Sequence, residues 1–336
     1  MAEEYEKSNS KLSKLLVKYR DLFRNGIGCL TQKVATLSIK PQSTPTFIKA
    51  RPIPFAMRSK EEKELEKLER DGIISKIEMS DWASPIVPVL KKDGSVRICG
   101  DFKVTVNQVL QVDQYPLPRI EDIFATLGGG RKFAKLDIRQ AYLHIPLDED
   151  SKKLLAIITH KRFYEYNRLT FGIASAPSIW QRAMDQILQG LSGVHCVLDD
   201  MIFTEKNDDE HLQNLENVLQ RLQDNIGLRA SIEKCSCLQD RVVYFGHEIS
   251  KEGLQKTKDK VEAAVNTPAP KNTTQLRPLL GLVNYYHKFL PNLATEIRPL
   301  NELLERDRTW VWNECCNRAF LKVNDMITSD RCVDTL

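Results

Sequence analysis

Val194-His195-Cys196-Val197-Leu198-Asp199-Asp200-Met201-Ile202-Phe203-Thr204 reads as two β-rich runs with two acids at their joint. Successive side chains of a strand point to opposite faces, so an unbroken strand would send Asp199 and Asp200 apart. A tight hairpin can instead present both at one exposed edge. Burying a carboxylate alone is costly unless a cation neutralises it, and carboxylate oxygens are hard ligands matched to magnesium. Taken alone, Leu198 to Met201 are better accounted for by a polar turn with no chemistry. Phe133-Ala134-Lys135-Leu136-Asp137 adds a second apolar run that closes in an acid. Asp137 by itself is an ordinary strand-end residue. Together, acids from two distant sheet segments suit two metals about 4 Å apart, the arrangement of in-line phosphoryl displacement.

Outward from these runs the chain alternates strands and helices without a clean βαβ repeat, which points to an α+β domain with an antiparallel sheet. Leu12, Leu15, Leu16, Tyr19, Leu22 and Phe23 share one helical face, stopped at Gly26. A stretch with Pro41, Pro45, Pro52 and Pro54 excludes a central strand or regular helix. Ser59 and Glu62 are spaced as a capping box for a second helix that closes at Gly72. That helix needs to bury only Leu65 and Leu68, and its charged remainder belongs on the surface. Ile86 to Cys99 reads as a hairpin turned at Asp93-Gly94. Further elements are expected as a short helix near Glu121 to Leu127, a helix from Pro177 to Gln189, a helix from Asp209 to Asp224, and one strand from Arg241 to Ile249. Past Thr267, Pro268 and Pro270 mark a linker, and Gln275 to Leu304 reads as helical.

The 336 residues, 42% hydrophobic and 28% charged, suit a globular chain of one large domain or two to three subdomains. The net charge of +4 permits a nucleic-acid partner without arguing for one. No apolar run approaches the roughly 18 residues of a membrane span, so no membrane partner is expected. None of the eight cysteines forms a CxxC pair, and the six histidines complete no zinc spacing. Free thiols point to a reducing, intracellular compartment, cytoplasmic or nuclear.

A series of short motifs then arrives in a characteristic order. Trp82-Ala83-Ser84-Pro85-Ile86-Val87-Pro88-Val89 comes first, then Asp93-Gly94-Ser95-Val96-Arg97-Ile98-Cys99 and Asp101 to Asn107. Tyr115-Pro116-Leu117-Pro118, Leu136-Asp137 with Ala141-Tyr142, and Phe171 to Pro177 follow. Leu198-Asp199-Asp200, Glu233-Lys234-Cys235, Phe245-Gly246-His247 and Gly281 to Tyr286 complete it. In this order, across about residues 35 to 330, the chain resembles the reverse transcriptase of gypsy-type LTR retrotransposons.

The resemblance implies a right-hand polymerase of fingers, palm and thumb, with residues 1–34 as a helical extension, 35–250 as fingers and palm, and 251–336 as thumb and connection. It implies an RNA-directed DNA polymerase that extends a primer 3′-hydroxyl on an RNA or DNA template with dNTPs, using two Mg2+ ions. Asp137, Asp199 and Asp200 resemble the metal-holding acids, and Lys234 the lysine that protonates pyrophosphate. Tyr142 resembles the steric gate against a ribose 2′-hydroxyl, and Phe171 and Gly172 the pocket floor. Arg97 resembles the fingers arginine over the base, and Lys91 or Lys92 the triphosphate lysine. Val197, Phe245, Gly246 and His247 stand at primer-contacting positions. Arg131, Lys132 and Lys288 are candidate phosphate contacts, each equally an ordinary solvated charge. A homo- or hetero-oligomer stays open.

The chain also departs from that family. Val197 stands where tyrosine is usual before Leu-Asp-Asp, Thr170 where proline is, Arg162 where glycine is, and Trp180 where phenylalanine is. Pro278 falls inside an expected helix and could kink or restart it. No protease, zinc-knuckle or integrase motif is found, and the chain stops before the first acid of the family's RNase H domain. An alternative to an active polymerase is therefore a retroelement relic or domesticated module that keeps the fold and binds nucleic acid.

Overall fold

The computed structural model describes residues 10–91, 93–224, 227–306 and 308–329. They fall into two compact units. The first comprises the chain up to Pro118, Ala134–Phe203 and Asp209–Cys237, and the second comprises Arg119–Phe133, Thr204–Asp208 and the chain from Leu238 onward.

In the first unit, β1 (Ile74–Ile77), β2 (Ser84–Leu90), β3 (Val96–Gly100), β5 (Ala156–Ile158) and β6 (Phe163–Tyr166) form a sheet of order β1-β6-β5-β2-β3. β2 and β3 are the expected hairpin, with Leu90 opposite Val96. Its turn closes through the Gly94 N–H on the Lys91 carbonyl at 3.0 Å. One pair, β2 with β5, is parallel, joining Ser84 to Ile157. A second sheet has the order β7-β8-β4-β9, from β4 (Lys132–Asp137), β7 (Val194–Val197), β8 (Asp200–Glu205) and β9 (Ser236–Gln239). β4 matches its sequence expectation, and β7 and β8 pair antiparallel with Val197 opposite Asp200. The helices Ala176–Leu188 and Asp208–Asp224 bury Trp180, Met184, Leu215, Val218 and Leu219 in the core of this unit.

The helix Phe55–Arg70 begins earlier than the capping-box reading placed it. Pro54 stands at its N-cap, where a missing N–H costs nothing. Ser59 is therefore interior to the helix. The expectation of a fully solvated charged face also fails at Glu61, which is 0% exposed beneath His160. Burial pushes the Glu61 carboxyl up, against the pull of His160.

In the second unit, β10 (Arg241–Tyr244), β11 (His247–Ser250) and β12 (Gly253–Lys256) make a three-stranded meander. The single strand expected over Arg241 to Ile249 is thus a hairpin. Phe245 at φ +40° and Gly246 at φ +66° turn the chain between Tyr244 and His247. Two consecutive positive φ angles suit a two-residue hairpin loop. The helical stretch expected from Gln275 to Leu304 is split into Thr273–Tyr285, Leu293–Glu296 and Arg298–Glu302, with a 3-10 turn over His287–Phe289. Pro278 lies inside the first of these without ending it. Leu276, Leu280, Val283, Phe289, Phe320 and Val323 are buried in this unit.

Candidate active site

The acids meet at the ends of β4 and β8, within the first unit. Ile138 donates its N–H to the Asp199 carbonyl at 2.9 Å, which sets Asp137 beside the turn carrying Asp199 and Asp200. Asp137 is 6% exposed. Burial pushes the Asp199 carboxyl up, and the Asp200 and Asp137 charges add to that push; its own backbone N–H and Lys234 oppose it. Three carboxylates therefore share one field.

Cations from this chain answer that charge. Lys234 Nζ lies 3.1 and 3.2 Å from the two Asp137 oxygens. Lys135 Nζ lies 3.0 Å from Asp200 Oδ1. Lys135 was not expected at the site. Its signal was available, because it precedes Asp137 by two positions on one strand and so shares its face. Among the described residues no group of three His, Cys, Asp or Glu side chains forms a ready metal cage. The donor set is nonetheless chemically suited to a hard divalent cation, being carboxylate oxygens that crowd one another and need positive charge.

Several backbone bonds hold β4 in place. Ser231 donates its N–H to the Asp137 carbonyl at 2.9 Å, and Arg139 donates to the Arg229 carbonyl at 2.9 Å. Arg229 in turn donates its N–H to His144 Nε2 at 3.1 Å, and His144 Nδ1 lies 3.1 Å from the Ala141 carbonyl. One ring nitrogen must donate and the other accept, so His144 is neutral. Burial lowers its pKa to about 4.

Beside the acids an aromatic shelf forms. The Tyr142 and Phe171 rings lie 4.9 Å apart, and the Arg97 guanidinium sits 5.5 Å from the Phe171 centroid. Burial raises the Tyr142 hydroxyl pKa and the Asp199 charge adds to it, which ties the shelf to the acids. Gly172 has φ +90°, and a side chain there would meet the Gly100 carbonyl at 3.2 Å. Asn107 brackets this turn, donating to the Gly172 carbonyl at 2.7 Å and accepting from Ala174 N–H at 3.0 Å. Its bracing role was missed, because no spacing in the sequence links residue 107 to 172.

Lys91 sits at the β2–β3 turn, its N–H on the Ser95 carbonyl at 2.8 Å. Lys92 lies outside the described residues. Val197 is 7% exposed, so little of its side chain is available to a primer. Phe245, Gly246 and His247 belong to the second unit. There Tyr285 donates its hydroxyl to the Phe245 carbonyl, and Tyr286 donates to the Gly246 carbonyl at 2.7 Å. His247 is packed by Phe124, Tyr285, Tyr286 and Phe289. Lys132 bridges Asp240 at 2.8 Å and Asp208 at 3.5 Å, and Lys288 faces Glu121 at 3.6 Å. No helix among the described residues is long and apolar enough to cross a membrane.

This fold is that of the right-hand polymerases. The foamy viral protease-reverse transcriptase in complex with double-stranded DNA superposes with a TM-score of 0.90 at 22% identity, covering 99% of this chain and 60% of that one. The same viral protein in complex with an RNA/DNA hybrid gives 0.87 at 22% identity, covering 99% and 46%. Residues 89–249 match the family described as reverse transcriptase (RNA-dependent DNA polymerase), so the chain carries a reverse transcriptase domain, a domain of the nucleotidyltransferase class. Its relatives include an uncharacterized protein of Caenorhabditis elegans, 34% identical over 81% of this chain and 21% of that protein. The retrovirus-related Pol polyprotein from transposon 297 of Drosophila melanogaster is 29% identical over 95% of this chain and 31% of its own length. The transposon Tf2-3 polyprotein of Schizosaccharomyces pombe is 32% identical over 74% and 18%. The domain is thus of the kind found in retrotransposon Pol polyproteins, and the chain spans from about a fifth to a third of the length of these relatives.

Proposed function

We propose that this chain is the polymerase part of a gypsy-type LTR retrotransposon Pol, extending a primer 3′-hydroxyl on an RNA or DNA template with dNTPs. The observation that carries the reading is the meeting of Asp137 with the Asp199-Asp200 turn, fixed by the 2.9 Å bond from Ile138 to Asp199. Asp137, Asp199 and Asp200 would hold two Mg2+ ions, which would supply Lewis acidity to the reacting oxygens. Tyr142 would close the space that a ribose 2′-hydroxyl needs. Arg97, stacked on Phe171, would lie over the incoming nucleotide and meet its phosphates. Lys234 would leave Asp137 as the anionic site fills and would hold a proton for departing pyrophosphate. Residues 35–250 would serve as fingers and palm, 251–336 as thumb and connection, and Phe245, Gly246 and His247 as the primer-side hairpin.

A second reading is favoured by one observation. Lys234 and Lys135 already neutralise Asp137 and Asp200. A site with two of its three acids already paired to lysines also suits a module that binds nucleic acid without catalysis. A Mg2+-dependent extension assay on an RNA template with a DNA primer separates the two. Extension by the parent, and its loss in Asp199→Asn with the fold retained, is expected. Equal extension by parent and variant would remove the acids from the reaction.

A further inference from the structure

Leu198, the residue before the acid pair, is held at φ +56°, a left-handed conformation that a side chain makes costly. Both of its peptide groups are anchored from one helix. Trp180 donates its indole N–H to the Leu198 carbonyl at 2.8 Å, and Gln181 Oε1 accepts the Leu198 N–H at 2.8 Å. Gln181 Nε2 donates onward to the Cys196 carbonyl at 2.8 Å and to Asp185 at 2.9 Å. Trp180 and Gln181 are both 0% exposed. The Cys196 thiol also reaches the Leu198 carbonyl, at 3.2 Å, as a weak donor.

The same indole faces the nucleotide shelf. Its ring lies edge-on to Tyr142, with centroids 6.5 Å apart at 74°, and tilted against His144 at 6.1 Å. A single buried side chain therefore touches the turn that carries two of the acids and the tyrosine that lines the shelf. A phenyl ring would fill much of this space without the donor, so the N–H is the separable feature.

We infer that Trp180 is a positioning residue that fixes the Asp199-Asp200 turn against Tyr142, so that cation binding at the acids and sugar discrimination at the shelf depend on one indole hydrogen bond. The sugar-discrimination part rests on the polymerase reading; the placement of the turn does not. Trp180→Phe removes the donor and keeps a ring. Hydrogen exchange over residues 196–203 is expected to quicken roughly tenfold, the scale of one lost bond to a buried carbonyl, with the rest of the first unit unchanged. Tb3+ luminescence, with Asp199→Asn as the blank, is expected to show weaker ion binding. In extension assays kcat should fall and preference for dNTP over rNTP should narrow, while affinity for the hybrid holds. Parent-like exchange and Tb3+ binding, or exchange that rises evenly across the unit, overturns the inference. If the parent extends nothing, local exchange and Tb3+ binding still decide the placement, and only the polymerase reading falls.

Discussion

His144 shows how one buried side chain sets a local condition on the site. Its Nε2 accepts the Arg229 N–H, and Arg229 stands on the segment that pairs with β4. Protonating Nε2 would replace an acceptor with a donor and break that bond. The folded-state pKa of about 4 lies below the ordinary 6.5. The unfolded chain therefore binds the proton more readily between these values, and stability is full above about pH 6.5 and is lost as pH falls toward 4. The loss attributable to this residue reaches about 3 kcal/mol. Urea titrations at pH 7 and pH 4.5 should show it, and His144→Gln should flatten that difference while lowering stability at pH 7. A parent-like pH slope in the variant would remove His144 as its source.

At the scale of elements, two hairpins depend on positive φ angles and on side chains sent from a helix. The β7–β8 turn has Leu198 held by Trp180 and Gln181. Replacing Gln181 with Leu strands the Leu198 N–H and the Cys196 carbonyl in the core. That should cost about 3 kcal/mol, read as a lower urea midpoint with an unchanged m-value. The β10–β11 turn has Gly246 at φ +66° under Tyr285, and a methyl group there would lie 3.3 Å from the Tyr285 hydroxyl. Gly246→Ala should therefore destabilise by about 1–2 kcal/mol, and no change in thermal midpoint would show that the turn relaxes freely. The helix Phe55–Arg70 carries a different lesson. Its interior Glu61 sits beside His160, from a distant hairpin, and no periodicity on the helix forecasts that partner.

For the whole molecule, charge is nearly balanced, with 49 basic and 45 acidic residues. Nucleic-acid binding must then come from local clusters, and the proposed hybrid contact should still release counterions. The logarithm of affinity for an RNA/DNA hybrid is expected to fall linearly with the logarithm of salt, by about 0.7–0.9 per phosphate neutralised; a flat dependence would argue against phosphate contacts. Much of this design is legible in the chain itself. The ends of β4, the β7–β8 joint and the β2–β3 turn follow from alternation, apolar runs and Asp-Gly chemistry, which are local. The association of Asp137 with Asp199 and Asp200 was suggested by three acids at the margins of apolar strands, and the order of the motifs, through the family resemblance, decided it. Lys234 was named from the motif order, but its pairing with Asp137, the pairing of Lys135 with Asp200, the Asn107 bracket, the Trp180 bond and the buried Glu61 were not readable, although Lys135 stood on the right face. Each joins residues far apart in sequence, through side-chain contacts that leave no periodic trace. Local backbone preference and hydrophobic pattern thus determined the strands, the turns and the acids that cap them. Only tertiary packing decided which cations meet those acids, because the chain must close long loops before such partners can touch.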